Sequence, residues 1–483
     1  MKEKLKSVGK NRWEIPIGSR TKEPRMRVPG RIIGSQKIIE WAEDAAIEQL
    51  TNVATLPGIV RYTVGMPDIH WGYGLPMGAV SAFDEEEGII SAGMTGFDIN
   101  CGIRMIKTNM SYEEVRPRIK ELINALFRNV PSGVGSKSRL RLTPGELEEV
   151  MTRGAEWAVE KGFGTREDLL HLEEGGVMEG ADPEKVSPEA KKRGMPQAGT
   201  LGAGNHFLEI QRVEELYDAK RAEAYGLVKD NIVIMLHCGS RGFGHQIATD
   251  YLRILDRAVK KYGIALPDHQ LVCAPATSQE GQDYFAAMKA GVNYAFANRQ
   301  VMTHRIRESF EEVFKRDWQD LGMDVLYDVC HNICKYEEHI VDGEKRNLYV
   351  HRKGATRAFP PGHKDVPAAY RSVGQPVLIA GSMGTASYVL SGTEQAMMET
   401  FGSTCHGAGR AMSRKKAIKS WHGDEIRRSL EKEGMLVVAT SPKVIAEEAP
   451  AAYKDVDEVV ESVHAAGISL KVARLVPLAV AKG

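Results

Sequence analysis

Five short tracts lie far apart in this chain, four of them rich in glycine, and each carries a metal-ligand or nucleophile-type residue. They are GFDINCGIR (Gly96–Arg104), LGAGNHFLEI (Leu201–Ile210), MLHCGSRGFGH (Met235–His245), VCHNICKYEEH (Val329–His339) and STCHGAGR (Ser403–Arg410). Glycine allows tight turns and close backbone approach, and a site built from loops can draw one group from each. Asp98 and Cys101 sit three apart, and His206, His237 and His331 complete a set of one carboxylate, one thiol and three imidazoles. That is a ligand count for two divalent ions sharing the thiolate. Mixed O/N/S ligation suits Mn²⁺ or Zn²⁺ better than Mg²⁺. Two-metal sites stabilise attacking and leaving oxygens in phosphoryl transfer.

His406 offers different chemistry. An imidazole nitrogen can attack phosphorus and form a phosphoramidate. Gly407 and Gly409 beside it let a phosphate lie against backbone N–H groups, and Arg410 and Arg414 supply guanidinium forks. Asp68, in GMPDIHWGYG, is placed to orient an imidazole. The small residues of AGSMGTASYVL (Ala380–Leu390) read either as a cradle for a base or sugar, with Ser382 and Ser387 as partners, or as a turn entering a helix.

The bulk composition constrains the rest. Lys+Arg and Asp+Glu are both 64 in 483 residues, so any nucleic-acid contact needs a local basic patch. Glycine is high at 48 residues. The opening MKEKLKSVGKNRWEI has no signal-peptide core, and no apolar run reaches membrane-spanning length. The six cysteines are expected as reduced thiols or ligands in the cytoplasm.

The tracts must be held by elements, and periodicity locates these. Residues 1–35 read as an extended lead-in. Helices are expected over 35–56, 111–126, 144–161 (capped by Thr143), 244–261, 278–315, 413–419, 424–432 and 458–465. Strands are expected within 58–106 and over 231–236, 325–329, 375–379, 435–439 and 472–478. Charged residues 166–196 read as an exposed excursion. Strands and helices interleave, so the expected class is α/β or mixed α+β in one large domain over residues 1–483.

Taken in order, DxxC, GNHFLE, LHCGSRG, CHN and HGAGRxxSR resemble the RtcB family of RNA-splicing ligases, from GMPDIHWGYGLPMG to Lys482. The resemblance implies a single-domain fold with metals in a deep cleft. It implies joining of a 2′,3′-cyclic phosphate or 3′-phosphate RNA end to a 5′-hydroxyl end in tRNA splicing and RNA repair, with GTP and two Mn²⁺. His406 would be guanylylated, and GMP would pass to the RNA as RNA(3′)pp(5′)G. Asp98, Cys101 and His206 would hold one ion; Cys101, His237 and His331 the other. Guanosine contacts would fall to Asn205, Glu209, Asn332, Ser382, Ser387, Tyr453 and Lys482. The nucleotide pocket would extend over His206, Phe207, Leu208, His331, Ala380, Gly381, Met383, Gly407, Ala408 and Gly409. Asp68 would bond His406, and Arg241, Lys353, Arg410 and Arg414 would grip phosphates or RNA. Broken tRNA halves or other cleaved RNA would be the substrate, archease the activating partner, and a monomer the working form. Two rivals remain from the residues alone. A two-metal phosphodiesterase would need no histidine nucleophile, and a non-catalytic RNA-binding protein would favour a basic balance and aromatic platforms.

Overall fold

Two large sheets are assembled from strands distant in sequence. A computed structural model describes all 483 residues. The first sheet runs, in spatial order, Lys6–Gly9, Arg12–Ile15, Gly30–Ile33, Ile59–His70, Met77–Asp84, Glu344–Lys353 and Asn332–Val341. The second runs Val325–Cys330, Gly102–Ser111, Asn231–Cys238, Phe207–Leu216, Ser469–Lys482, Ser387–Gly392 and Pro376–Ile379, with Leu436–Ala439 pairing on Ser469–Lys482. Pairing is antiparallel except at Gly30–Ile33 on Ile59–His70 and Leu436–Ala439 on Ser469–Lys482. The architecture is mixed α and β, as the interleaved pattern predicts.

Several sequence expectations need correction. The first 35 residues are extended but not a free lead-in: three short strands pair there, and the Trp13 indole N–H donates to the Gly34 carbonyl at 2.9 Å. The helix expected over 35–56 is two, Gln36–Trp41 and Asp44–Val53, because Ala42 and Glu43 are extended. Residues 111–126 likewise break into Tyr112–Val115, a 3-10 turn and Ile119–Asn129; Pro117 lies in that turn. The small-residue stretch after Ile379 turns into the strand Ser387–Gly392, not a helix.

The largest departure is residues 166–196. They are not an exposed excursion. Leu172, Met178, Val186 and Ala190 enter the largest hydrophobic cluster. Asp168 is 3% exposed and pairs with Arg307 at 2.7 Å, and Glu173 pairs with buried Lys335 at 2.5 Å. Charge reads as surface in one dimension, whereas paired charge can be buried.

The Gln279–Phe314 helix is the axis of that core. Ser278 caps its start, and Lys315 ends it in the left-handed conformation. Apolar residues all round, as in Tyr284, Met288, Tyr294, Phe296 and Phe310, mark a helix enclosed by protein. It packs against Pro144–Glu160, Arg241–Lys261 and Ile119–Asn129. Asn298 and Arg299, both fully buried on it, point at the loops that carry the candidate ligands.

Candidate metal and nucleotide site

The metal-type residues gather because their strands are neighbours. Cys101 immediately precedes Gly102–Ser111, His206 precedes Phe207–Leu216, and His237 lies near the end of Asn231–Cys238. Gly102 pairs with Cys238, Phe207 with His237 and Cys330 with Gly102. The His331 N–H then donates to the Cys101 carbonyl at 2.7 Å. Ladder geometry alone therefore delivers four ligand-type residues to one end of the sheet.

Asp98, Cys101 and His206 place their ligand atoms within 4.8 Å of one another. The Cys101 Sγ is 3.6 Å from His206 Nε2 and 3.1 Å from His237 Nε2, and His206 Nε2 is 2.8 Å from Asp98 Oδ2. All three histidines are anchored through Nδ1: His206 to the Leu201 carbonyl at 2.9 Å, His237 to the Asn205 carbonyl at 3.0 Å, and His331 to the Thr356 hydroxyl at 2.9 Å. Anchoring one ring nitrogen fixes the tautomer and frees Nε2 as a ligand. His331 Nε2 is buried and has no hydrogen-bond partner, the state of a donor atom that a cation satisfies.

Electrostatics agree with that fit at His237 and His331. Burial holds His237 and His331 well below the usual imidazole range, so both are neutral donors. Burial and the Asp98 carboxylate push the Cys101 thiol up to about 11. Without a cation Cys101 is a thiol; a bound cation would make it a thiolate ligand. Burial lowers His206 too, but Cys238 and Asp98 more than reverse it. Gly239 is required here, since a Cβ would run into the Asp98 carboxylate.

His406 stands beside this cluster. It follows the strand Ser403–Cys405, and its ring centroid lies 5.1 Å from that of His331. Asp68, fully buried, accepts from His406 Nδ1 at 2.6 Å and from the His406 backbone N–H at 3.0 Å. Nε2 is thereby left as the ring nitrogen that could act as a nucleophile. Gly409, at φ +72°, lies so close to the Asp68 backbone that a side chain would collide.

A cavity of about 740 Å³ joins these parts. Its walls include Asp98, Cys101, Asn205, Phe207, Glu209, His237 and Asn332, then Ala380–Met383, His406–Arg410, Arg414, Tyr453 and Lys482. Glu209 and Lys482 come from adjacent strands, and Phe207 pairs directly with Lys482. Burial raises the Glu209 carboxyl to about 7, against the opposing pull of the Gln211 amide and Lys482. The pocket thus combines an aromatic wall, a carboxylate acceptor and an ammonium donor.

Other expected residues lie elsewhere. The Leu208 side chain is buried in a hydrophobic cluster. Ser387 is 1% exposed; its hydroxyl accepts from the Gly381 N–H and the Gln211 amide, so it props the pocket wall. Lys353 is buried with Nζ against the carbonyls of Tyr73 and Gly93, and burial lowers it to about 7. It is not on the cavity wall. Arg241 and His206 line a second cavity of about 580 Å³ with Lys137, Arg193, Gln197, His245 and Arg414; Asp98, Asn205 and Arg414 border both.

Some residues escaped the sequence reading. Buried Glu448 lies 3.2 Å from Arg410, 3.6 Å from Arg414 and 3.6 Å from Lys482, and accepts from the Tyr453 hydroxyl. In sequence it is one acid of an ordinary Glu-Glu pair. Thr356, which orients His331, carries no local signal. Glu43, His70, Trp71 and Met77 also line the larger cavity. The motif GMPDIHWGYG marked that region only through Asp68.

Comparison with known proteins identifies the family. The profile of the family described as "tRNA-splicing ligase RtcB" matches residues 49–483. The chain is 59% identical over 480 residues to the tRNA-splicing ligase RtcB of Thermococcus kodakarensis, covering 99% of each. It is 53% identical over 483 residues to that of Methanococcus maripaludis, covering both completely. With that of Archaeoglobus fulgidus it shares 56% over 479 residues, 99% of each.

Proposed function

Because this chain belongs to the RtcB family, we propose that it is a GTP- and Mn²⁺-dependent RNA ligase of tRNA splicing and RNA repair, joining 2′,3′-cyclic phosphate or 3′-phosphate ends to 5′-hydroxyl ends. The observation that carries this reading is His406 itself. A histidine whose Nδ1 is tied to a buried carboxylate, in one cavity with a thiol–imidazole cluster, suits covalent nucleotide transfer. A phosphodiesterase would have no use for it, and an RNA-binding module no use for the Cys101 cluster.

Asp98, Cys101 and His206 would hold one Mn²⁺, and Cys101, His237 and His331 the other. When bound, the ions would supply charge neutralisation at the reacting phosphates. The remaining chemistry belongs to the chain. His406 Nε2 attacks the α-phosphorus of GTP; the N–P bond forms and pyrophosphate leaves. Asp68 holds the Nδ1 proton and stabilises the cationic ring. A 2′,3′-cyclic end is first hydrolysed to a 3′-phosphate. An oxygen of that RNA 3′-phosphate then takes GMP from His406, which activates the phosphate. The 5′-hydroxyl attacks the RNA phosphorus, and GMP leaves.

Guanine is read by Glu209, with Phe207 as its apolar wall and Lys482, Tyr453, Asn205, Asn332 and Ser382 as further polar contacts. Such a site rejects bases that leave its buried polar groups unpaired. Arg410 and Arg414 exchange their Glu448 contacts for phosphate oxygens. The second cavity, with Lys137, Arg193 and Arg241, takes the RNA backbone. Archease acts as the activating partner of the working monomer. The test is incubation with α-labelled GTP and Mn²⁺, followed by mass spectrometry. Wild type gains one acid-labile GMP on His406, and H406A gains none; an unlabelled wild type overturns the ligase reading.

A further inference from the structure

The larger cavity has one rim that the nucleotide and metals do not use. Trp71 stands there with 57% of its surface exposed, the only exposed large apolar side chain lining the cavity. Exposing an indole forgoes hydrophobic burial of about 25 cal/mol per Å². Its backbone is nonetheless held firmly. Glu43 accepts the Trp71 N–H at 2.7 Å, and the Gln49 amide brackets Gly72 with bonds of 2.6 and 3.1 Å. His70 Nδ1 lies 3.0 Å from the Trp71 carbonyl. A fixed backbone carrying an uncovered aromatic face is the arrangement of a stacking platform.

The chemistry of this rim selects the ligand. Glu43, His70, Trp71 and Met77 bring a carboxylate, an imidazole, an indole and a thioether, but no cation. Burial holds His70 neutral, with its pKa down to about 3. Phosphates therefore belong with Arg410, Arg414 and Lys415, and an uncharged base belongs here. Reach is also right. Trp71 follows Asp68 by three residues, about 10 Å of extended chain, and Asp68 holds His406. Trp71 and His406 line the same cavity, so one bound strand can meet both.

We propose that Trp71 stacks the terminal nucleobase of the RNA strand that ends in the 3′-phosphate. The inference rests on the ligase reading above and adds a base subsite to it. The experiment is a protein–substrate cycle on the full chain with GTP and Mn²⁺. KM for the 3′-phosphate strand is measured for wild type, W71A and W71F, with either a normal or an abasic 3′-terminal nucleotide. W71A should raise KM about 5- to 150-fold, and W71F, which keeps an aromatic face and guards against a misfolded alanine variant, should raise it much less. Removing the base should cost wild type a similar factor and W71A almost nothing further. Independent, multiplying penalties would overturn the proposal. So would a W71A defect in KM for GTP during RNA-free guanylylation, which would give the indole to guanine. A wild type that takes no label from GTP sinks both readings, whereas a labelled protein with multiplying penalties sinks this one alone.

Discussion

At the residue scale, three side chains carry sharp expectations. D68N keeps the shape beside His406 but removes the negative charge that stabilises its cationic ring. Such orienting partners typically contribute 10–100-fold, so the single-turnover guanylylation rate should fall by about that factor while the GTP dissociation constant holds. Cys101 touches both His206 and His237. C101A should therefore deplete both bound ions, whereas H206A should chiefly deplete one, read as Mn per protein by elemental analysis. Equal stoichiometry in the two variants would count against a shared thiolate.

Glu209 ties binding to pH. Guanine presents N–H donors, so the carboxylate form binds. With its carboxyl raised to about 7, GTP affinity should drop by up to about tenfold per pH unit below 7, and E209Q should lose that slope. Stability runs the other way. A raised folded pKa contributes stability fully present below the unfolded value near 4.5 and lost as pH rises through 7. Without ligand, E209Q should melt higher than wild type at pH 8, by on the order of 3 kcal/mol, and about equally at pH 4.5.

At the element scale, the long buried helix Gln279–Phe314 sets the ligand loops. Asn298 accepts the N–H groups of Gly199 and Thr200 at 2.7 and 3.1 Å and donates to the carbonyls of Thr200 and Gly239 at 3.2 and 3.1 Å. Arg299 donates to the carbonyls of Asn100 and Cys238, each at 2.9 Å, and pairs with buried Asp328 at 2.8 Å. Asp328 also meets Arg104 at 2.8 Å. One helical turn thus ties the loops of Cys101, His206 and His237 together. R299A leaves the buried Asp328 with one partner fewer and should cost about 3–5 kcal/mol, visible in thermal unfolding. N298A should loosen metal retention more than it lowers the melting temperature. Helix periodicity located this element to within a residue at each end. Its polar stripe was not legible, because a buried Asn or Arg reads as a solvated face until its partners are known.

At the scale of the whole molecule, the balance of 64 basic and 64 acidic residues hides an uneven surface. Lys137, Arg193, Arg241, His245 and Arg414 share one cavity, which Asp98 alone opposes among acids. If three or four phosphates are neutralised there, log affinity for single-stranded RNA should fall with log salt with a slope of about −2 to −3. Titrations at several salt concentrations measure it; a flat response would remove RNA from this groove. No helix is long and apolar enough to cross a membrane.

The sequence by itself singled out the candidate ligands and the candidate nucleophile. Asp98, Cys101, His206, His237 and His406 were legible because each sits in a glycine tract that only a close approach justifies, and His331 because it follows a strand in a Cys-His-Asn run. The long helices were legible from their caps and periodicity. Tertiary structure alone decided the rest. Which strands became neighbours brought four ligand-type residues to one sheet end, and nothing local encodes that pairing. It also buried Lys353, Asp168 and Glu173, which composition would leave in water. A charge is buried or exposed according to the partner it meets, and partners such as Glu448 for Arg410, or Arg307 for Asp168, are 38 and 139 residues away.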